Sequence, residues 1–291
     1  MKVKSMPAML IFAAALFAAG IGNAQSLNFK TITVPNSQET VLAGLNNSNV
    51  AVGLYLDSSG VQHGMVIQGQ TVTNVDDPNG VGTTVCEGIN DSGVIVGFYV
   101  NSSGVQVGFV EKNGTFKDVL PLGSSSSSVD IINDNGVMAG TYLDPITGLN
   151  LAFYGPPTNF TSVNVPTSTA TLAAVTNNAA KAIVITWTDP SGNEESSVYN
   201  ATNGNFTTVN VPSAASSFAD YINNHNQIVY AWEDSSGNFH GAVRSASGQF
   251  ATFDDPDGTN TEPSAINDAG IIDGAFTPTG ASAPQGFAAK Q

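Results

Sequence analysis

The stretch INDSGVIVGFYVNSSGVQVGF, from Ile89 to Phe109, returns in outline as INDNGVMAGTYLDPITGLNLAF between Ile132 and Phe153. Aligning the chain on the Asn of each unit gives Asn46, Asn90, Asn133, Asn177, Asn223 and Asn267, spaced by 44, 43, 44, 46 and 44 residues. Two other columns keep step. An aromatic follows nine or ten residues later (Tyr55, Tyr99, Tyr142, Trp187, Trp232, Phe276), and a small residue follows that (Gly64, Gly108, Ala152, Ser197, Gly241, Gly286). A period near 44 belongs to propeller repeats, not to helical or leucine-rich ones.

Each unit reads as four short strands. In the second, strands are expected at 83–89, 94–100, 105–111 and 115–120. Asn90-Asp91-Ser92-Gly93, Asn101-Ser102-Ser103-Gly104 and Asn113-Gly114 supply the turns between them, since Asn and Asp cap their own backbone and Gly accepts positive φ. The last unit runs out after three strands. Its fourth stands at the other end of the chain, where Phe29-Lys30-Thr31-Ile32-Thr33-Val34-Pro35 matches Phe206-Thr207-Thr208-Val209-Asn210-Val211-Pro212. The N-terminal strand is therefore expected to complete the last blade. The expectation is an all-β, six-bladed β-propeller over residues 25–291, a closed ring that limits exposed sheet edges; an open β-solenoid would not need the split unit.

The units resemble the HAF family of secreted bacterial repeat proteins. Gly88-Ile89-Asn90-Asp91, Val94-Ile95-Val96-Gly97-Phe98-Tyr99, His63-Gly64-Met65, Gln285-Gly286-Phe287 and Leu151-Ala152-Phe153 carry the likeness. The resemblance implies an extracellular, propeller-like fold and brings no activity with it. The fourth unit departs most. Ile183-Val184-Ile185-Thr186-Trp187 lacks the glycine, so a local irregularity is expected there.

Lys2 and Lys4, the apolar run Met9 to Ala19 and the small residues Gly22-Asn23-Ala24 read as a signal peptide over residues 1–24, with export to the periplasm or medium. The run is short for a membrane span, and no second one follows. Net charge is −15, and without Lys2 and Lys4 the remaining 6 cations against 23 anions leave −17. Such a surface repels phosphate backbones, so nucleic acid is not expected as a partner. A monomer binding a glycan or a protein is. Cys86 is alone, so no intramolecular disulfide forms and the thiol reads as a small core residue.

A residue found in every unit is structural, so residues that break the repeat are the better site candidates. Trp187 and Trp232 offer ring faces that stack on sugars, although their recurring column also suits packing between blades. His63 and His240 share one position before the third-strand Gly, which Val107, Leu151, Ser196 and Gln285 hold elsewhere. Glu87 and Glu262 break the repeat and are candidate ligand-binding groups; a convergent carboxylate pair would favour the alternative, a glycoside hydrolase or lyase. Two loops between units are acidic, Asp76-Asp77-Pro78-Asn79-Gly80 and Asp254-Asp255-Pro256-Asp257-Gly258. Asp254, Asp255 and Asp257 are a candidate Ca²⁺ site, with a solvated turn as the plainer reading. No HExxH, G-x-S-x-G or phosphate-binding glycine loop occurs.

Overall fold

The computed structural model describes residues 21–22, 27–80 and 82–290. Except for Ile21–Gly22, which bridges to Phe250 and Ala251 at the outer edge of the fifth sheet, the signal peptide read over residues 1–24 lies outside them. The chain is a six-bladed β-propeller. Blade 2 is representative, with Val85–Ile89 innermost, then Ile95–Val100, Gln106–Lys112 and Thr115–Val119 outward, all antiparallel. In blade 6, Gly258–Ile266, Ile272–Pro278 and Gln285–Lys290 are completed by Asn28–Ile32, with Phe29 opposite Ala289 and Ile32 opposite Gly286. The ring thus closes by pairing the two ends of the chain. Among the described residues, no helix is long and apolar enough to cross a membrane.

Each blade buries its faces against its neighbours, so the core is a set of wedges. Val52, Cys86, Ile89 and Phe109 fill the wedge between blades 1 and 2, and Val96, Val129, Met138 and Phe153 the next. Burying side chains of this size contributes about 1.5–3 kcal/mol each. Cys86 is fully buried, and desolvation pushes its thiol far above the ordinary value. The aromatic column is mostly interior, with Tyr99, Tyr142 and Phe276 all 3% exposed or less. The hydroxyls of Tyr55, Tyr99 and Tyr142 reach the outermost strand of their own blade, at Asn74, Asp118 and Ser162. Packing therefore explains most of this column.

Inner strands run from a face here called the mouth to the opposite face, the floor. Loops leading into each blade and second-to-third-strand hairpins lie at the mouth. The floor is held by two closed hydrogen-bond rings. Each repeated Asn donates Nδ2–H to the backbone carbonyl of the next, from Asn46 through Asn90, Asn133, Asn177, Asn223 and Asn267 back to Asn46, at 2.9–3.4 Å. The following residues form the second ring. Backbone N–H groups of Asn47, Asp91, Asp134, Asn178, Asn224 and Asp268 each donate to the Oδ1 of the next, at 2.8–2.9 Å. The Asn that marks the repeat is thus the residue that ties the blades together.

Candidate functional site

A bulge in each inner strand decides where the site lies. A Cβ added to Gly53 would sit 2.0 Å from the Val41 carbonyl oxygen, and one at Gly97 would sit 2.0 Å from that of Val85. In blades 1, 2, 3 and 6 a glycine there lets the inner strand press close, and the inner strand bulges in all six blades, with Trp187 and Tyr230 at that place in blades 4 and 5. In each blade a bulged inner-strand residue loses its cross-strand partner: Ala43, Glu87, Asp130, Leu172, Asp220 and Ser264, with a second irregularity at Asn260 and Thr261 in blade 6. All six line one axial cavity of about 340 Å³. Bulges of this kind re-aim a side chain, and here they aim one from every blade into the channel.

Three of the six are acidic, and they sense one another. Desolvation pushes Glu87 up to about 8, helped by the charge of Asp130. Asp130 is pushed up to about 6 by desolvation, opposed by the Ala174 N–H at 2.9 Å and the Ser128 hydroxyl at 2.8 Å. Asp220 stands well above the usual carboxylate range through desolvation, opposed by the Ala231 N–H, with Glu262 and Glu87 raising it further. Glu262, on the blade 6 inner strand, is raised by desolvation. Glu87 thus lines the funnel with Asp130 and Asp220, whereas Glu262 is exposed, does not line the cavity and bears on it only through the charge felt by Asp220. The rest of the wall is largely apolar, including Val41, Leu54, Val85 and Phe98. Toward the floor the channel narrows to about 40 Å³ within the Asn rings, room for a water or two. The channel is a funnel with one wide opening.

A second pattern sits at the mouth, twice. His63 stacks on Tyr55 with ring centroids 5.1 Å apart, places Nδ1 2.9 Å from Asp76 and Nε2 3.7 Å from Asp57. His240 stacks on Trp232 at 4.6 Å, with Nδ1 2.8 Å from Asp254 and Nε2 3.4 Å from Asp234. The two clamps occupy equivalent places in blades 1 and 5 and do not meet. Blade 4 carries a variant. Its first turn holds an extra residue, which moves the bulge to Leu172 and places Glu195, not Ser196, opposite Trp187. Glu195 there accepts a hydrogen bond from Asn210, and Ser196 rather than Ser197 fills the small-residue column. The expected irregularity of the fourth unit is this one-residue shift.

Trp187 lies outside the funnel, half-buried, with Nε1 donating to Ser197 at 3.1 Å and its ring packed on the core. Trp232 offers only its clamped ring. Its Nε1 is buried without an acceptor, because Ala242 stands where Ser197 serves in blade 4. The proposed calcium ligands have separate engagements. Asp254 holds His240, Asp255 is buried and caps its own turn by accepting the Asp257 N–H at 2.9 Å, and the Asp257 carbonyl accepts from Thr279. Among the described residues, no group of three or more His, Cys, Asp or Glu is disposed to hold a metal ion. In the equivalent loop Asp77 caps Asn79 in the same way at 2.8 Å.

Asp130 and Asp220 were not singled out by the sequence, although the column three before the repeated Asn reads Ala43, Glu87, Asp130, Ala174, Asp220, Ser264 and visibly fails to repeat. A further column was also legible. Six before that Asn stand Thr40, Thr84, Ser127, Thr171, Ser217 and Thr261, all buried. Several of their hydroxyls bind the lead-in loops, as Thr40 does with the Val34 N–H at 3.1 Å and Thr261 with the Asp255 N–H at 2.8 Å, while that of Thr171 is buried without a partner.

Compared with protein-family models and with curated proteins, the sequence matches none. Solved structures match the fold. The chain is similar to TolB from Acinetobacter baumannii at 12% identity and a TM-score of 0.61, covering 82% of this chain but only 63% of that one. It is also similar to a gluconolactonase from Xanthomonas campestris, XC5397, at 12% identity and a TM-score of 0.57, covering 94% and 92% of the two chains. A six-bladed lectin from Aleuria aurantia with a described mode of fucose recognition aligns at 12% identity and a TM-score of 0.51, over 89% and 93%. At such identities the likeness shows the propeller fold.

Proposed function

We propose that this chain is an exported binding protein of HAF type that admits a glycan or polypeptide ligand from the mouth face. The carrying observation is that all six bulged inner-strand residues converge on one funnel, and that their chemistry changes from blade to blade. A structural column would repeat; this one presents three acids, a hydroxyl and two apolar groups. Protonated Glu87 donates a hydrogen bond, ionised Asp130 accepts, and the apolar wall excludes water around both. The lectin and TolB likenesses agree with a binding role. The test is a screen of glycan and peptide arrays with the wild type and Ala43→Trp, which fills the funnel from its smallest wall residue. Loss of the hits with an intact fold supports the reading; hits unchanged by Ala43→Trp sink it.

One observation favours a second reading, a carbohydrate-active enzyme. Glu87 and Asp130, on neighbouring blades, are pushed to about 8 and about 6, which suits a general acid beside a base. Mass spectrometry of the bound glycans separates the two readings, because a hydrolase or lyase leaves shortened products that disappear in Glu87→Gln.

A further inference from the structure

Five of the seven exposed large hydrophobic residues among those described sit on the mouth face of blade 3: Leu120, Leu122, Leu143, Ile146 and Leu149. They come from two loops tied together by the Leu143 N–H donating to the Ser126 carbonyl at 2.9 Å. Both loops break the repeat. The hairpin tips of the other blades read Asp57-Ser58-Ser59-Gly60, Asn101-Ser102-Ser103-Gly104, Asp189-Pro190-Ser191-Gly192, Asp234-Ser235-Ser236-Gly237 and Thr277-Pro278-Thr279-Gly280, and only Asp144-Pro145-Ile146-Thr147-Gly148 carries an aliphatic residue before its glycine; after the glycine, Leu149 matches Val61 and Val105. After the lead-in proline, Asn36, Thr167 and Ser213 take positive φ, and at the same place Leu122 does so at φ 57°. A left-handed Leu costs about 1–2 kcal/mol, and here it holds its side chain in water at 48% exposure.

The tip is rigid. Asp144 Oδ2 accepts the Thr147 N–H at 3.0 Å and its hydroxyl at 2.6 Å, which fixes Ile146 outward at 91% exposure. Leu172 carries the aliphatic strip inward to the funnel lip. The rest of the mouth is acidic, with Asp57 and Asp76 in blade 1 and the loop after it, Asp189 in blade 4, and Asp234, Asp254 and Asp257 in blade 5 and the loop after it. None of the six described Lys and Arg stands there. Lys112, Arg244 and Lys290 end third strands at the floor, Lys181 lies in a floor turn, and Lys30 and Lys117 are on outermost strands.

We infer that the blade 3 rim docks a basic polypeptide segment of a partner protein, with an aliphatic side chain of that segment packed on Leu122 and Ile146 and its cations facing the acidic mouth. Charge complementarity selects this occupant, since a neutral glycan uses neither the aliphatic strip nor the one-signed field. The inference rests on the binding reading only in sharing its face.

The probe is a fluorescein-labelled synthetic peptide of leucines and lysines at helical amphipathic spacing, with a leucine–glutamate peptide as control, read by fluorescence anisotropy. Expected are binding of the lysine peptide that weakens at high salt, no binding of the glutamate peptide, and affinity about tenfold lower in Ile146→Asp and in Leu122→Asp. Both sites are exposed, and circular dichroism confirms folding. Peptide binding retained in Ala43→Trp places the segment on the rim independently of the funnel. Equal affinity in wild type and both Asp variants overturns the inference, and so does binding lost in Ala43→Trp alone. A wild type that sediments as a dimer, with Ile146→Asp a monomer, overturns it in favour of a second copy of this chain.

Discussion

At the scale of the residue, the informative groups are carboxyls held where carboxylates are poorly solvated. Glu87 ordinarily titrates near 4, and in the funnel it is pushed up to about 8. The folded state binds a proton that the unfolded chain has released, so its contribution to stability is fully present below the ordinary value. That contribution is lost as pH rises through about 8. Glu87→Gln keeps the shape and removes the titration. It is expected to raise the melting temperature at pH well above neutrality by a few degrees and to leave it unchanged near pH 4, read by calorimetry across pH. Equal shifts at both ends of the range would show that Glu87 is ionised in the fold. Subtracting the repeat singles out Glu87, which lines the funnel, and Glu262, which does not. It passed over Asp130 and Asp220, because an Asp in a chain so rich in Asx turns looks like one more cap. The bulge that turns them inward depends on a close backbone approach that no single residue announces.

At the scale of the element, the bulge is produced by two strands together. The motif Val-Gly-x-Tyr was legible as a strand, and its glycine gains its reason only from Val85, on the neighbouring strand, whose carbonyl oxygen would lie 2.0 Å from a Cβ at Gly97. Backbone on both sides cannot yield cheaply. Gly97→Ala is expected to cost on the order of 2–3 kcal/mol, like other overpacked core sites, seen as a lower urea midpoint with an unchanged slope. A near-silent Gly97→Ala would mean the inner strand tolerates straightening, and Glu87 would then not be fixed in the funnel. Blade 4 shows how a small count hides a large effect. One extra residue in its first turn slides the register, moves the bulge to Leu172 and puts Glu195 at the place of the histidines. Counting from Asn177 registers the insertion only as an aromatic ten residues on, at Trp187, where every other unit has nine; the shift it imposes on the strands appears only in their pairing.

At the scale of the molecule, ring closure was the most legible feature, because three strands of a blade at one end of the chain and one at the other have one economical completion. Removing residues 25–36 strips the outermost strand from blade 6, exposes the edge of Gln285–Lys290 and removes Val34, which packs with Leu42 and Ala265. Thermal unfolding of the truncated chain is expected to begin far below that of the whole, in one transition, since the two Asn rings couple every blade to the next.

The same coupling makes the pH response a property of the whole ring, and two populations of acids set it. Asp77, Glu87, Asp130, Asp220, Asp255, Glu262 and Asp273 are all raised, each chiefly by desolvation. Asp273 is the extreme case, 1% exposed where the other blades bury Val52, Val96, Ala139, Val184 and Val229. The stability these groups contribute is complete below their ordinary values near 4 and erodes upward through their folded values. Asp57, Asp144, Asp189 and Asp234 are lowered, by the N–H groups of the turns they cap and, first for Asp144, by the Thr147 hydroxyl. Their contribution is present above about 4 and is lost as pH falls through their folded values. The first population pulls the optimum down and the second sets its lower bound, so maximum stability is expected between about pH 4 and 6. The net charge of −15 pulls the same way, because protonation relieves self-repulsion. Urea midpoints measured from pH 3 to 9 should peak in that window. A midpoint that keeps climbing to pH 8 would mean the buried carboxyls are ionised in the fold, and would remove both the proton donor assigned to Glu87 and the acid–base pair it forms with Asp130.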